Sequence, residues 1–202
     1  MIDETLFRNV LNAIKDLPES SLDIIDSFSD NQFNSKKTLL RSIEELGILR
    51  SDSDVFIMGC WYGSILIPLL SDKVRKIIAM DLDETVIRIG KNRLFKEYDN
   101  ILWCAKDVFL HPISKPDVNL IINTSCEHMN PMKDWPFWDK VGDNAYFAFQ
   151  SNNMYQIEGH TNCVSSIEEF KSQMPVGAKL LYENELPDER GTRYTLIGQL
   201  NG

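Results

Sequence analysis

Residues 55–81 read VFIMGCWYGSILIPLLSDKVRKIIAMD, and this stretch decides the fold. An apolar run (55–58) enters a turn bounded by Gly59 and Gly63. An apolar helix pattern follows at 64–70, and a second apolar run (77–80) ends on Asp81. Buried parallel strands read as continuous apolar runs, and two such runs around one helical pattern make a βαβ unit. A glycine-bearing turn between strand and helix presents backbone N–H groups at the helix start. An acidic residue closing the next strand, about 20 positions on, can accept from sugar hydroxyls.

Downstream the alternation continues. A helix is expected over 83–96, with Val86, Ile87 and Leu94 on one side, then a strand over 101–105 closing on Lys106-Asp107. A strand over 118–123 ends at Asn123-Thr124-Ser125, a Pro- and Trp-rich loop fills 130–142, and a fifth strand covers 145–150. Ser166-Ile167-Glu168-Glu169 is a capping box opening a helix that Pro175 ends. Two β-rich runs, 178–186 and 193–200, are joined by a link too short for a parallel crossover, so they form a hairpin.

Upstream, Leu6, Val10, Ile14 and Leu17 make the apolar row of a helix over 3–17, with Asp3 able to cap its start and Pro18 as its stop. A short helix and a loop fit 19–34. Ser35 is the expected N-cap of a helix that runs through Leu39, Leu40, Ile43 and Leu46 to Gly47. The expected organisation is one compact domain: N-terminal helices (1–53) packing on or capping a core (54–202).

Bulk properties narrow the function. The 202 residues carry 21 Lys and Arg against 30 Asp and Glu, a formal net charge of −9. No basic stripe offsets that balance, which argues against a nucleic-acid partner and for a small-molecule one. No apolar run reaches the ~20 residues that span a bilayer, and the charged start is not expected to act as a leader peptide. Four cysteines (Cys60, Cys104, Cys126, Cys163) lack CxxC spacing, so the expected setting is a reducing cytoplasm.

The strand–turn–helix–strand stretch with Gly59, Gly63 and Asp81 resembles the class I S-adenosylmethionine-dependent methyltransferases. Their pattern is an acidic residue, Gly-x-Gly-x-Gly, a helix, and an acidic residue closing the second strand. Two positions depart from it: Ile57 stands at the first carboxylate and Trp61 at the middle glycine. The resemblance implies a Rossmann-like, doubly wound α/β fold. Its sheet would have seven strands, mostly parallel, with a C-terminal antiparallel hairpin, and the N-terminal helices would be extra.

It also implies S-adenosylmethionine as cofactor, with Gly59, Cys60, Trp61, Tyr62 and Gly63 forming the loop beneath it. Asp81 would hold the ribose, with Leu82 beside the adenine. Lys106, Asp107 and Val108 would meet the adenine, with Asp107 accepting from its amine, and Asn123 and Thr124 would line the methionine portion. With Ile57 unable to engage the amino-acid end, Ser35, Lys36 and Lys37 at an expected helix N-terminus are expected to meet its carboxylate.

Glu127 and His128 resemble the Glu-His pair that follows the fourth strand in many small-molecule methyltransferases, and they are the expected catalytic residues, orienting the acceptor and taking its proton. In the long polar loop after the fifth strand, Asn152, Asn153, Tyr155 and His160 are expected substrate contacts. No metal is assigned. The alternative is a Cys2His2 set from Cys126, His128, His160 and Cys163, whose Cys-x-His spacing is unusual for zinc. The methyl acceptor is not legible. A binding protein of the same fold without transfer activity is the alternative function. A short-chain oxidoreductase is disfavoured, because no Tyr-x-x-x-Lys pair occurs.

Overall fold

The computed structural model describes residues 4–112, 118–142 and 144–200. The strands are β1 (Asp54–Met58), β2 (Lys76–Asp81), β3 (Ile101–Ala105), β4 (Leu120–Asn123), β5 (Tyr146–Asn152), β6 (Lys179–Asp188) and β7 (Gly191–Gln199). They form one sheet in the order β3-β2-β1-β4-β5-β7-β6. The first five are parallel, and β7 runs antiparallel between β5 and β6. Strand order reverses between β1 and β4, which places the ligand crevice of an open α/β sheet beyond their carboxyl ends.

Alternation along the strands builds two cores. Val55, Ile57, Ile77 and Ala79 face α3 (Asp30–Glu45), α4 (Leu66–Leu70) and α5 (Glu84–Ile89), meeting Leu39, Ile43, Ile67 and Ile87. Phe56, Met58, Ile78, Met80, Phe147 and Phe149 face the opposite side, against Trp135 and Phe170. Each such side chain contributes roughly 1.5–3 kcal/mol by leaving water, which is why these strands read as unbroken apolar runs.

Register sets the site's depth. Met58 is level with Met80 on β2 and with Asn123 on β4, so the three strands end within one residue of one another. β5 continues three residues beyond Phe149, the partner of Asn123, to Asn152, which pairs with Arg193 on β7. A wall of two strands therefore rises past the floor made by the other three.

The N-terminal helices differ most from expectation. α1 (Glu4–Asp16) is tied to the core by the Asn9 amide, which donates to the Leu94 carbonyl (3.1 Å) and to Glu97 (2.8 Å). Asp3, its expected cap, lies outside the described residues. After α2 (Ser21–Ser27), α3 begins at Asp30, with Ser29 extended at its N-cap position (φ −60°, ψ 157°). Ser35 is thus inside the helix and fully buried, its hydroxyl donating back to the Gln32 carbonyl (3.1 Å). A serine satisfied by back-bonding does not compel a helix to start, and the capping expectation at Ser35 fails for that reason.

Two other boundaries carry physical causes. Asp83 caps α5, accepting from the amides of Thr85 (2.7 Å) and Val86 (3.3 Å). α5 then relaxes into a π-helical turn over Gly90–Leu94, where a Cβ on Gly90 would fall 2.7 Å from the Trp103 ring. Ser166 accepts from the Glu169 amide (3.2 Å) at the start of α6 (Ile167–Lys171), as the capping box requires. Among the described residues no helix is long and apolar enough to cross a membrane.

Candidate functional site

A cleft of about 880 Å³ opens over the carboxyl ends of β1, β2 and β4, walled by α2, α3 and the loop after β5. Its floor is the turn after β1. Gly59, Trp61 and Gly63 all have left-handed backbones (φ 60°, 49° and 72°). Trp61 is the one non-glycine residue with positive φ among those described. The tryptophan at the middle glycine position therefore keeps the backbone a glycine would take. A Cβ at Gly59 would lie 3.0 Å from the Met129 methyl, and one at Gly63 would lie 2.3 Å from Ile67.

Asp81 stabilises that turn. Its Oδ2 accepts from the Trp61 amide (2.7 Å) and its Oδ1 from the Asp83 amide (3.0 Å). The half-buried carboxyl has its pKa pushed up by burial, against the pull of these backbone donors. Each oxygen retains acceptor capacity, and the residue lines the cleft. The Cys60 thiol is pushed well above its usual range by burial, so it stays protonated. Tyr62 is buried beneath the turn with its ring 5.2 Å from that of Trp61, and it is not among the cleft-lining residues.

After β3, Asp107, Val108 and Phe109 line the cleft, with Asp107 Oδ1 accepting from the Phe109 amide (2.8 Å). Leu82 lies across from them and is 72% exposed. Lys106 is exposed and does not line the cleft. Its amide extends the ladder to the Asp81 carbonyl (2.8 Å), so its contribution is backbone.

After β4, Thr124 and Ser125 reach the cleft, but Asn123 does not. Asn123 is fully buried: its Oδ1 accepts from the Ser125 amide (2.9 Å), and its Nδ2 faces the sulfurs of Met129 and Met132. It shapes the turn from below. Ile57 lies fully buried in β1, so the first carboxylate has no equivalent there. Asp23 and Asp26 of α2 line the cleft instead, and α2 docks on the turn through Ser27 and Ser64, whose hydroxyl oxygens are 2.6 Å apart.

The far end is the polar cluster around Glu127. Cys126–His128 form a 3-10 turn, and Glu127 is 3% exposed. Its Oε1 accepts from the Asn152 amide (2.5 Å) and lies 3.5 Å from Arg193 Nη1, the facing pair on β5 and β7. Its Oε2 has no hydrogen-bond partner among the described residues, and neither do Nε and Nη1 of the 5%-exposed Arg193. Lys36 enters from α3, hydrogen-bonded to Gln32. Burial, reinforced by Arg193, lowers its pKa to about 7, while Glu127 and Asp26 oppose the shift. Ser35 and Lys37 do not line the cleft, and Lys37 is exposed with its ammonium over the Phe33 ring (5.5 Å). With the helix starting six residues earlier than expected, Lys36 is the one of the three that lines the cleft.

The loop after β5 closes over this cluster. Its Thr161 and Asn162 amides both donate to the Glu127 carbonyl (2.9 Å each). His128 is exposed, and its Nδ1 lies 3.0 Å from the Gly159 carbonyl. Because a carbonyl only accepts, Nδ1 carries the hydrogen and the neutral ring keeps a lone pair on Nε2. The His160 ring meets His128 edge-on (4.6 Å between centroids), and burial lowers its pKa.

Of the expected substrate contacts, His160 lines the cleft and three residues do not. Asn152 is fully buried on Glu127. Asn153 accepts from the Thr192 amide (2.7 Å), and Tyr155 is 60% exposed outside the cleft. Met154, Ile157 and Glu158 line it instead. The Cys2His2 set does not assemble: Cys126 is buried with its thiol towards the Asn123 carbonyl, and Cys163 sits against Asn152 and His160. Asp26 and Arg193 were not singled out by the sequence reading, whereas Lys36 was, together with Ser35 and Lys37, at the expected anion site. A charged residue opening the apolar run of β7 was the only signal for Arg193.

No protein-family model matches the chain, and no curated protein matches it in sequence. Solved structures do match. The N-methyltransferase NodS from Bradyrhizobium japonicum WM9 superposes with a TM-score of 0.62 at 15% identity, over 86% of this chain and 99% of that one. The geranyl diphosphate C-methyltransferase of Streptomyces coelicolor A3(2) was solved with Mg2+, geranyl-S-thiolodiphosphate and S-adenosyl-L-homocysteine. It gives 0.64 at 13%, over 81% and 75%. A SAM-dependent methyltransferase from Aquifex aeolicus gives 0.57 at 17%, over 80% and 89%. The fold is that of the class I methyltransferases. At these identities the likeness is one of fold.

Proposed function

We propose that this chain is an S-adenosylmethionine-dependent methyltransferase acting on a small molecule. The observation that carries this reading is the turn after β1. Three left-handed residues at 59, 61 and 63, one of them a tryptophan, are held by Asp81 under an open cleft. Left-handed backbone at a bulky residue costs about 1–2 kcal/mol, and such strain is retained where a ligand needs the geometry.

In this reading the remaining acceptor capacity of Asp81 takes the ribose hydroxyls and Leu82 covers one face of the adenine. Asp107 and Val108 meet the adenine edge. Backbone at Gly59, Cys60 and Trp61, with Thr124, holds the methionine portion, and Asp26 replaces the missing carboxylate towards its ammonium. Nε2 of His128 and Oε2 of Glu127 face the acceptor. Methyl transfer is an in-line displacement at an activated carbon, so the enzyme's task is to hold two reactants in line and find a place for the acceptor's proton.

The test is release of S-adenosylhomocysteine from S-adenosylmethionine against fractionated metabolite pools. Turnover with one fraction, cut by about 10²–10⁴-fold in His128→Ala, supports the reading. Cofactor binding with no turnover in any fraction would favour a binding protein of the same fold.

A further inference from the structure

We propose that Glu127, His128 and His160 bind a divalent first-row transition-metal ion at the acceptor end of the cleft. One ligand atom from each lies within 4.8 Å of the others, and this is the His/Cys/Asp/Glu group that meets that geometry among the described residues. The three come from two chain segments, the turn after β4 and the loop after β5, which the hydrogen bonds from Thr161 and Asn162 to the Glu127 carbonyl lock together.

Glu127 and His128 are each held by partners that leave an electron pair free. Glu127 is buried, with Oε1 engaged by Asn152 and Arg193 and Oε2 without a partner. A buried carboxylate oxygen without a donor costs about 1–3 kcal/mol or more, and an ion would supply what it lacks. The Gly159 carbonyl claims Nδ1 of His128, the arrangement metal-bound histidines use to fix ring and tautomer. His160 has Cys163 at its Nδ1 (3.6 Å). Two imidazoles and one carboxylate suit Fe2+, Mn2+, Co2+ or Zn2+ better than Mg2+ or Ca2+, which prefer all-oxygen shells. Arg193 and Lys36 are nearby cations, but Asp26 and Glu158 line the same cleft, so an added cation meets both signs.

Three protein ligands leave open positions facing the cleft. There the ion would hold an acceptor hydroxyl and lower its pKa, doing the work otherwise asked of a base. The acceptor oxygen then bonds to the methyl carbon as the carbon–sulfur bond breaks, the electron pair stays on sulfur, and the hydroxyl proton passes to solvent. This role rests on the methyltransferase reading, whereas the binding site does not.

The experiment titrates Co2+ and Mn2+ into the metal-stripped full chain, without cofactor. The expected result is one site, weakened in Glu127→Gln, His128→Ala and His160→Ala by at least the roughly 10–100-fold that loss of an outer-shell partner costs. The Co2+ spectrum should show visible bands without strong near-ultraviolet absorption from a thiolate ligand. No binding by the folded chain, or one site that survives the His128→Ala/His160→Ala pair, overturns the proposal. Strong thiolate absorption also overturns the ligand set, by bringing in Cys163. His128 is exposed, so its replacement remains informative should Glu127→Gln fail to fold. Metal binding without S-adenosylmethionine binding would remove the methyltransferase reading and leave the site. The reverse would remove the site alone.

Discussion

The Trp61 amide donates to the Asp81 carboxylate across 2.7 Å, joining the one left-handed tryptophan to the acidic residue that closes β2. Asp81 is therefore part of the turn's scaffold as well as a group open to the cleft. Asp81→Ala should lower stability by about 1–3 kcal/mol, because a charge-assisted hydrogen bond is lost, and should weaken S-adenosylmethionine binding about tenfold or more. Thermal unfolding and calorimetry on the same sample separate the two effects. Intact stability with unchanged affinity would exclude both roles.

At Trp61 the backbone and the side chain make separable contributions. Trp61→Gly relieves the left-handed strain and puts a glycine at the middle of the turn, so under the proposed function the variant should still bind S-adenosylmethionine. Trp61→Val puts a β-branched residue at φ 49° and should cost about 1–3 kcal/mol relative to glycine. Equal stability of the two variants, measured by denaturant midpoint, would show that strain at this turn is unimportant.

Much of this was legible in the sequence. The runs 55–58 and 77–80 are buried central strands, and continuous apolarity has few other uses, while 101–105 is the half-exposed edge strand beside them. Asp81 could be placed because the end of β2 follows from the length of the βαβ unit. The start of α3 could not, since Ser29 and Ser35 are both competent caps and only the packed structure shows which serine back-bonds. The Glu127–Arg193–Asn152 cluster was hidden for another reason. It joins three segments through the β5–β7 register, and residues 66 positions apart in the chain carry no local signature of contact.

Arg193→Met should be among the most damaging single changes. It leaves Glu127 buried without its counter-charge, and breaking a buried pair from one side costs about 3–5 kcal/mol. Adding Glu127→Gln should recover part of that loss. The coupling from a double-mutant cycle measures it, and zero coupling would mean that 3.5 Å is too far for the pair to contribute.

Lys36 makes stability depend on pH. Its pKa falls from 10.5 to about 7 on folding, first through burial and then through Arg193, so at pH values between these the folded state has released a proton that the unfolded state keeps. Stability should therefore rise with pH across that window, with the full cost of the buried charge present below about pH 7. In Lys36→Met this rise should vanish. Parallel pH profiles of unfolding midpoint for the two proteins would contradict the assignment.

The central claim is that the cleft above Gly59, Trp61 and Asp81 is an S-adenosyl site, and titration of S-adenosylhomocysteine into the folded chain tests it most directly. The account predicts one site with a dissociation constant between about 1 μM and 1 mM, the range of ordinary enzyme–substrate affinity, lost or strongly weakened in Asp81→Ala. No heat of binding up to about 1 mM, or binding that Asp81→Ala leaves unchanged, would contradict it.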